Sequence, residues 1–447
     1  MAQHPLTLLR RSLGFSQLRY AQRVAEEQGF DPRTVKAHYK VLRWESGTTP
    51  ELDSQFAIAR IHRIPEEEVL QRGWPNWLLL ATGDAPLLDQ PWTSQGTLGS
   101  LRSTVRPPGW HPPAYLAVTG AALDSQIRKA LATLASPPSP PAGEGFPLPP
   151  GTVAGVERRI ADLELQAGGS PLTPMTLYHA ACQEHRTTTA YLTSGQYDRR
   201  NGTRLLLLAA RTARLCAWFS MCLGDEHMTE RYLHAAIRAS ATAGERQAVA
   251  MYMAHLAFRH LKVGDPREAF SLLRAARAAE PNATPILAAT LHAHAALAYA
   301  RVGDSKASTQ ATDRATRAIA TAMTDMPDAH IDSALKETLG LLGGLTWLHL
   351  EQPSKALTHF APLLDDGSSP HLSAPPPPLI ARGLLGVVMA QLALGELDAA
   401  THTAHRAVAA LGDLPTSLAR QYRQTFAPHR NHSAVPELLG FLAEHHQ

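Results

Sequence analysis

The feature that most constrains the fold is a turn motif that recurs through the C-terminal part of the chain. A glycine followed by an acidic residue marks four of its five turns: Gly224-Asp225, Gly264-Asp265, Gly303-Asp304 and Gly395-Glu396. In the fourth turn along the chain, Gln352 takes the place of the glycine. The steps between successive turns are 40, 39, 49 and 43 residues. Ala- and Leu-rich segments of helical periodicity flank each turn, with small residues where two helices would cross. The pattern predicts repeated helical hairpins and an all-α fold.

These units resemble tetratricopeptide repeats, whose helical hairpins stack into an α-solenoid. The usual period of that repeat is about 34 residues, so the longer steps here imply extended helices or loops. The resemblance implies a tetratricopeptide-like helical repeat domain over residues 151–447. Its concave face would bind a peptide, a small molecule or a partner protein. A module for dimerisation and stability is the alternative, and the two roles are compatible.

A second informative segment lies near the N terminus, where four basic side chains and no acidic one occur between Arg33 and Arg43. Asp31-Pro32 predicts a helix start, because an N-cap carboxylate precedes a proline whose missing N–H costs nothing there. Gly47 and Pro50 predict its end. A helix of this size fits the DNA major groove, with its cations towards phosphates and guanine edges. A solvated charged face is the alternative interpretation.

Helical spacing divides the residues of this predicted helix between two faces. The exposed face carries residues at i, i+3, i+4 and i+7: Lys36, Tyr39, Lys40 and Arg43. Three apolar residues are expected to hold the helix against the domain: Val35, Leu42 and Trp44. We therefore expect the first set to face DNA and the second to be buried.

Residues 4–64 resemble the Xre-type, lambda-repressor-like helix-turn-helix family. The residues that carry the resemblance are Leu8-x-x-Arg11, Ser16-Gln17, Val35, Arg43-Trp44-Glu45-Ser46-Gly47 and Pro50. Gln17 and Trp44 are 27 residues apart, about ten more than in the compact form of this family, so the second helix or the turn is expected to be longer. Together with Gly73-Trp74-Pro75, Pro91-Trp92 and the repeats, the chain is similar to Streptomyces-type regulators that join this module to a tetratricopeptide-like domain.

The resemblance implies a set of DNA-binding residues. Gln17, at the start of the second helix, would contact a backbone phosphate or a base edge. The other candidates would lie on or beside the groove-facing side of the third helix: Thr34, Lys36, His38, Tyr39, Lys40 and Arg43. Which of them reads a base and which binds a phosphate stays open.

The charge distribution favours the same end of the chain. Residues 1–64 hold ten Lys and Arg against six Asp and Glu, a balance of +4, whereas the whole chain carries only +3. The positive field therefore sits where a nucleic-acid module needs it. Cys182, Cys216 and Cys222 show no C-x-x-C spacing and are interpreted as reduced thiols of a cytoplasmic protein. The start of the chain has no signal-peptide pattern, and no membrane partner is expected.

The sequence offers little for catalysis or cofactors. No H-E-x-x-H, G-x-S-x-G or G-x-x-x-x-G-K motif occurs. The pair His402/His405 has a metal-compatible spacing with only Asp398 nearby, so no metal is expected. Gly340 to Gly344 lie in an apolar helix, where close packing is favoured over nucleotide binding. We expect no cofactor and no enzymatic activity.

We therefore predict three segments: a helix-turn-helix DNA-binding domain over residues 1–83, a Pro/Gly-rich linker with one short helix over 84–150, and the repeat domain over 151–447. Trp74 and Trp77 are expected to pack at the end of the first. The predicted function is transcription regulation at a double-stranded DNA operator, as a homodimer, with an effector or dimer contact on the repeats. The alternative is a repeat-domain adaptor whose helix-turn-helix fold does not bind DNA.

Overall fold

The structure, a computed structural model, is predominantly helical, with 78% of residues in helices and 2% in strands. It describes residues 4–36, 38–105, 118–167, 174–325, 333–364, 377–411, 414 and 416–444. The all-α prediction is confirmed. Pro107-Pro108-Gly109, Pro112-Pro113 and Ala37 lie outside the described residues.

The N-terminal helices enclose a core of their own. They are α1 Pro5–Ser12, α2 Gln17–Glu27, α3 Tyr39–Glu45, α4 Leu52–Ile61, α5 Glu66–Arg72 and α6 Leu78–Thr82, with a 3-10 turn at Pro32–Thr34 between α2 and α3. Tyr20, Val41, Ile58 and Trp77 are fully buried in this core, which includes residues from Leu6 to Leu78. The next residue, Leu79, already belongs to the core of the following helices. The N-terminal module is thus a separately packed unit.

The two tryptophans that follow α5 are packing residues, as predicted. Trp77 is fully buried, and its Nε1 donates a hydrogen bond to Gln55 Oε1 at 3.2 Å. Trp74 stacks on His4 with ring centroids 5.2 Å apart. Because His4 is the N-cap of α1, the aromatic pair ties the start of the module to its end.

Residues 84–150 differ from the predicted linker with one short helix. Their described part, 84–105 and 118–150, forms three helices and two short strands: α7 Ala85–Leu88, α8 Ser94–Thr104, α9 Gly120–Ala135, β1 Gly143–Glu144 and β2 Phe146–Pro147. Leu87, Leu101 and Leu123 are buried in the same core as the repeat helices. The described part of this segment is therefore packed, because its leucines bury enough apolar surface to order it.

The helices that carry the predicted repeats follow. They are α10 Thr152–Ala167, α11 Pro174–Ser194, α12 Arg199–Leu223, α13 Glu226–Thr242, α14 Arg246–Val263, α15 Pro266–Ala279, α16 Pro285–Arg301, α17 Ser305–Asp325, α18 Ser333–His349, α19 Pro353–Leu364, α20 Pro377–Ala393, α21 Leu397–Leu411, α22 Thr416–Phe426 and α23 Ala434–Glu444, with a 3-10 turn at Ala427–His429. From α12 to α21, helices pack in consecutive pairs across short turns. The first helix of one pair also packs on the first helix of the next: α14 on α16, α16 on α18 and α18 on α20.

Polar side chains fasten the segment after the N-terminal module to α13. Asp84 is 1% exposed, accepts a hydrogen bond from His227 Nε2 at 3.0 Å, and forms an ion pair with Arg231. Arg238 donates to the carbonyl oxygens of Gln90, at 2.6 Å, and Pro91. The segment that connects the N-terminal module to the repeats therefore packs on α13.

A small sheet closes the proline-rich stretch before residue 150. The central strand is β3 Gly195–Tyr197, which pairs antiparallel with β1 and parallel with β2. Gly143 has to be glycine because a Cβ there would lie 2.1 Å from the carbonyl oxygen of Gly195. Pairing with β3 thus anchors the end of the predicted linker.

The Gly-Asp turns occur where the sequence predicts them. Gly224 and Gly303 have φ values of 84° and 80°, a left-handed conformation that costs glycine little. The aspartates that follow cap the next helix: Asp225 Oδ1 accepts from Met228 N at 2.9 Å, and Asp304 Oδ1 from Ala307 N at 2.9 Å. In the fourth turn the left-handed residue is Glu351, at φ 58°, and not Gln352.

Within the described part of the chain, one helix is long and apolar enough to cross a membrane by length and mean hydropathy. It is α12, and 78% of its apolar window is buried inside the protein. Trp218 on α12 packs against a core cluster whose residues come from α18, α19 and α20, far along the chain. The burial matches that of a central core helix.

We expect Gly344→Ala to destabilise the repeats by about 1–3 kcal/mol through overpacking. A Cβ at Gly344 would lie 2.2 Å from the ring of Phe360, which is fully buried. This contact supports the packing interpretation of Gly340 to Gly344. Urea unfolding followed by circular dichroism measures the effect.

The matched control is Gly440→Ala in α23, where nothing lies within 4 Å of the added Cβ. Alanine favours a helix interior over glycine by about 1 kcal/mol, so this variant should be neutral or more stable. Equal effects at both positions would contradict the close packing of α18 on α19.

Candidate nucleic-acid interface

The helix predicted to read DNA is shorter than expected. Instead of one helix from Pro32, a 3-10 turn at Pro32–Thr34 is followed by an extended Val35, and α3 begins at Tyr39. Asp31 caps the 3-10 turn, its Oδ1 accepting from Arg33 N at 2.9 Å. The β-branched pair Thr34-Val35 has low helix propensity, which is consistent with the break. The long connection between α2 and α3 therefore accounts for much of the 27-residue separation of Gln17 and Trp44.

The later start changes which residues of α3 are buried. Val41 and Trp44 are 0% and 7% exposed and face the core. Leu42 is 43% exposed, so the prediction that it is buried is wrong, while Val35 is half-buried against the core. Burying Val41 and Trp44, three residues apart on one helix face, turns Leu42 towards solvent.

A buried carboxylate holds α3 in place. Glu45, the last residue of α3, accepts from Arg10 Nε at 2.6 Å and from Gln17 Nε2 at 2.6 Å. The side chains of Arg10 and Glu45 are 8% and 6% exposed. Arg10 also donates to the carbonyl oxygen of Phe15 at 2.6 Å, so one guanidinium joins α1, the α1–α2 turn and α3.

Gln17 has a structural partner in addition to its predicted DNA contact. It is half-buried at the first position of α2, and its amide is engaged by Glu45. A DNA contact by Gln17 would have to share this amide. The positioning role of Arg10 and Glu45 was missed at the sequence level, although Glu45 lies in the Trp-Glu-Ser-Gly motif.

The remaining predicted site residues are exposed. Lys36 precedes α3, so the predicted shared helical face is wrong for this residue, while Tyr39, Lys40 and Arg43 lie within α3. Tyr39 is 67% exposed and stacks on His38 with ring centroids 5.4 Å apart. Thr34 is exposed too, and its Oγ1 donates to the carbonyl oxygen of Asp31 at 2.7 Å.

Two groups of cations in the module differ in their partners. Arg10, Arg23, Arg60 and Arg72 form ion pairs with carboxylates. In the part of the chain that the structure describes, no carboxylate lies within 4.0 Å of the cations around α3: Arg33, Lys36, Lys40 and Arg43. The module thus presents uncompensated positive charge beside and on α3, as a phosphate-binding surface requires.

We expect Glu45→Ala to lower the free energy of unfolding of the N-terminal module by about 3–5 kcal/mol. The substitution leaves the buried Arg10 guanidinium without its carboxylate, and breaking one side of a buried ion pair is strongly destabilising. Urea unfolding followed by tryptophan fluorescence measures it, because Trp44, Trp74 and Trp77 all pack in the core of this module. Glu51→Ala, at an exposed carboxylate, should stay within about 0.5 kcal/mol; an equal loss in both would contradict the buried role of Glu45.

A second candidate site lies among the repeat helices. A cavity of about 390 Å³ lies between α16, α17, α18 and α19. Its walls are apolar or small, with Ile286, Ile319 and Leu339 among them and His359 as the titratable group. Burial lowers the pKa of His359, so this ring is neutral at pH 7. The volume is within the range of small-molecule pockets.

Metal binding finds no support in the described ranges, where no cluster of three His, Cys, Asp or Glu side chains could hold an ion. His405 Nδ1 instead hydrogen-bonds the carbonyl oxygen of Thr401 at 2.9 Å. The chain matches no protein family, no curated protein and no solved structure.

Proposed function

We propose that the protein is a sequence-specific, double-stranded DNA-binding transcription regulator acting in the cytoplasm. The observation that carries the proposal is the group of uncompensated, exposed cations on and beside α3, a helix held in place by Glu45. The N-terminal module would be of the lambda-repressor-like helix-turn-helix kind, with α3 in the major groove. Lysine and arginine on such a helix supply phosphate contacts and guanine readout.

The proposed form is a homodimer. Helix α3 has seven residues and so spans roughly 10 Å, about three base pairs of duplex. A site of that length gives little specificity, and two-fold pairing doubles it. The helix pairs from α12 to α21 would form a tetratricopeptide-like α-solenoid that builds the dimer, binds an effector, or does both.

The cavity between α16 and α19 supports the effector part of this proposal. Its small, apolar walls favour an uncharged small molecule, or an apolar side chain of a peptide. Because the segment after the N-terminal module is docked on α13, a change in the repeats would be transmitted to the DNA-binding helices through packed contacts. Neither a cofactor nor catalysis is part of the proposal.

The test is a titration of the full-length protein with DNA fragments from its own upstream region and with a random fragment. We expect tight binding to one fragment, with an affinity that falls as salt rises from 50 to 200 mM, because phosphate contacts release counterions. About three phosphate contacts would give a slope of log K against log salt of about −3. Equal, weak binding to all fragments would contradict sequence-specific recognition.

A protein-binding adaptor is the second candidate. It is favoured by the exposed apolar surface of α3, where Tyr39 and Leu42 are 67% and 43% exposed, and by Phe30 at 63%. Exposed apolar side chains of this kind contribute to partner surfaces. Under this alternative, Leu42→Ser would weaken partner capture and leave DNA titrations flat.

A further inference from the structure

A buried cluster with excess positive charge joins the early and late repeat helices. Glu226, the first residue of α13, pairs with Arg259 Nη1 at 3.0 Å and with Lys262 Nζ at 2.7 Å, both from the end of α14. Arg382 of α20 donates to the carbonyl oxygen of Met221 at the end of α12. Residues 161 positions apart thus meet at this cluster.

The charges of the cluster do not balance. Burial raises the pKa of Glu226, but Arg259, Lys262 and Arg382 lower it to about 2, so this carboxylate is ionised. The neighbouring Cys222 thiol is neutral, because burial raises its pKa to about 11. Burial lowers the pKa of Lys262 to about 8, so its ammonium is still protonated at pH 7. Three cations therefore act on the Glu226 carboxylate, which they outnumber.

One guanidinium of the cluster has donors without a partner. The side chain of Arg259 is 1% exposed, and its Nη2 has no hydrogen-bond partner among the described residues. The Phe258 ring lies 4.5 Å from Arg259 Cζ and supports one face of the guanidinium. The side chain of Lys262 is 23% exposed, so solvent reaches one edge of the cluster.

We propose that this cluster binds an oxyanion group, a phosphate or a carboxylate, between α14 and α20. The free Nη2 of Arg259 supplies a planar donor, and Lys262 and Arg382 supply the compensating charge. A bound oxyanion neutralises the excess charge and ties α20 to the α12–α14 region. This site is separate from the apolar cavity, and the proposal does not depend on DNA binding.

The test uses the full-length protein with inorganic phosphate and with acetate, at constant ionic strength set by chloride. We expect a saturable rise in melting temperature and saturable heat in calorimetry with at least one of the two oxyanions. A stronger response to phosphate assigns a phosphate-bearing ligand, and a stronger response to acetate a carboxylate. A response no larger than that to chloride overturns the proposal.

Two variants and one control locate the effect. Lys262→Gln and Arg382→Gln each remove one cation, so the apparent Kd for the oxyanion should rise at least about tenfold. Lys306→Gln, at an exposed lysine outside the cluster, should leave the apparent Kd unchanged. An equal loss in the control would assign the response to general surface charge and overturn the proposal.

Glu226→Gln should change the oxyanion affinity in the opposite direction. It removes the carboxylate that competes for the three cations, so the oxyanion should bind about tenfold more tightly and raise the melting temperature further than in the unchanged protein. A purely structural cluster would lose stability with no gain in oxyanion response. If this variant does not fold, the Lys262→Gln variant, at a side chain that is 23% exposed, decides between the two outcomes.

Discussion

Replacing Lys36, Lys40 and Arg43 with glutamate should abolish binding to the operator. These cations are exposed and, in the described ranges, have no carboxylate partner, so in the proposed complex the change turns three attractive phosphate or base contacts into repulsive ones. Loss of about 1 kcal/mol or more at each position corresponds to at least roughly a hundredfold weaker binding. Fluorescence anisotropy with the labelled operator fragment measures the dissociation constant.

The control is a triple reversal of exposed cations on the repeat helices. Arg274, Lys306 and Arg314 are exposed, and changing them to glutamate alters net charge by the same amount. Operator affinity should change less than about threefold in this control, since distant surface charges are screened beyond about 10 Å. Equal weakening in both triple variants would mean that net charge, not α3, governs binding, and unimpaired binding of the first variant would remove α3 from the interface.

Asp84→Ala should destabilise the contact between α13 and the segment after the N-terminal module by about 3–5 kcal/mol. Asp84 is 1% exposed, and its removal leaves Arg231 and His227 buried without their carboxylate. We expect the midpoint of urea unfolding to fall markedly, as followed by circular dichroism. Asp124→Asn, at an exposed carboxylate on α9, should change stability by less than about 0.5 kcal/mol.

The same aspartate predicts a pH dependence of stability. Burial raises the pKa of Asp84, but His227 and Arg231 outweigh it and lower the pKa from 3.8 to about 2. A carboxyl group whose folded pKa is depressed stabilises the fold above its unfolded pKa and loses that contribution as pH falls through the folded pKa. The contribution is therefore present above about pH 4 and is lost towards pH 2, and it amounts to roughly 2 kcal/mol.

The measurement compares the protein with Asp84→Asn in urea at pH 7, 4, 3 and 2. The stability difference between the two should stay constant down to about pH 4 and shrink between pH 4 and pH 2. A difference that is unchanged at pH 2 would contradict the ionised, paired state of Asp84. Other carboxyl groups titrate in both proteins, so their contribution cancels.

Local features of the fold were predicted from the sequence because short-range interactions decide them. Gly224 and Gly303 adopt left-handed conformations, and Asp225 and Asp304 cap the next helix within three residues. Each is set by the residue type and its immediate neighbours. The helical class, the turn positions and the exposure of Lys40 and Arg43 follow from such local rules.

Long-range packing determined which residues of α3 are buried and which residues pair with Glu45, and the sequence pattern did not predict these features. Leu42 fits a buried position by spacing, yet Val41 and Trp44 take the core side once α3 starts at Tyr39. The Glu45 contacts join residues 28 and 35 positions apart. No periodicity within one helix encodes a partner on another.

The segment after the N-terminal module shows most clearly the difference between features set by local sequence and features set by long-range packing. Its prolines and glycines predict a linker with one short helix, whereas its docking depends on Arg231 and Arg238, more than 140 residues away. The sequence by itself therefore determined the helical class, the turns and the location of the positive charge. Only the tertiary structure decided which faces are buried and which charges are paired, because burial and ion pairing depend on residues that are distant along the chain.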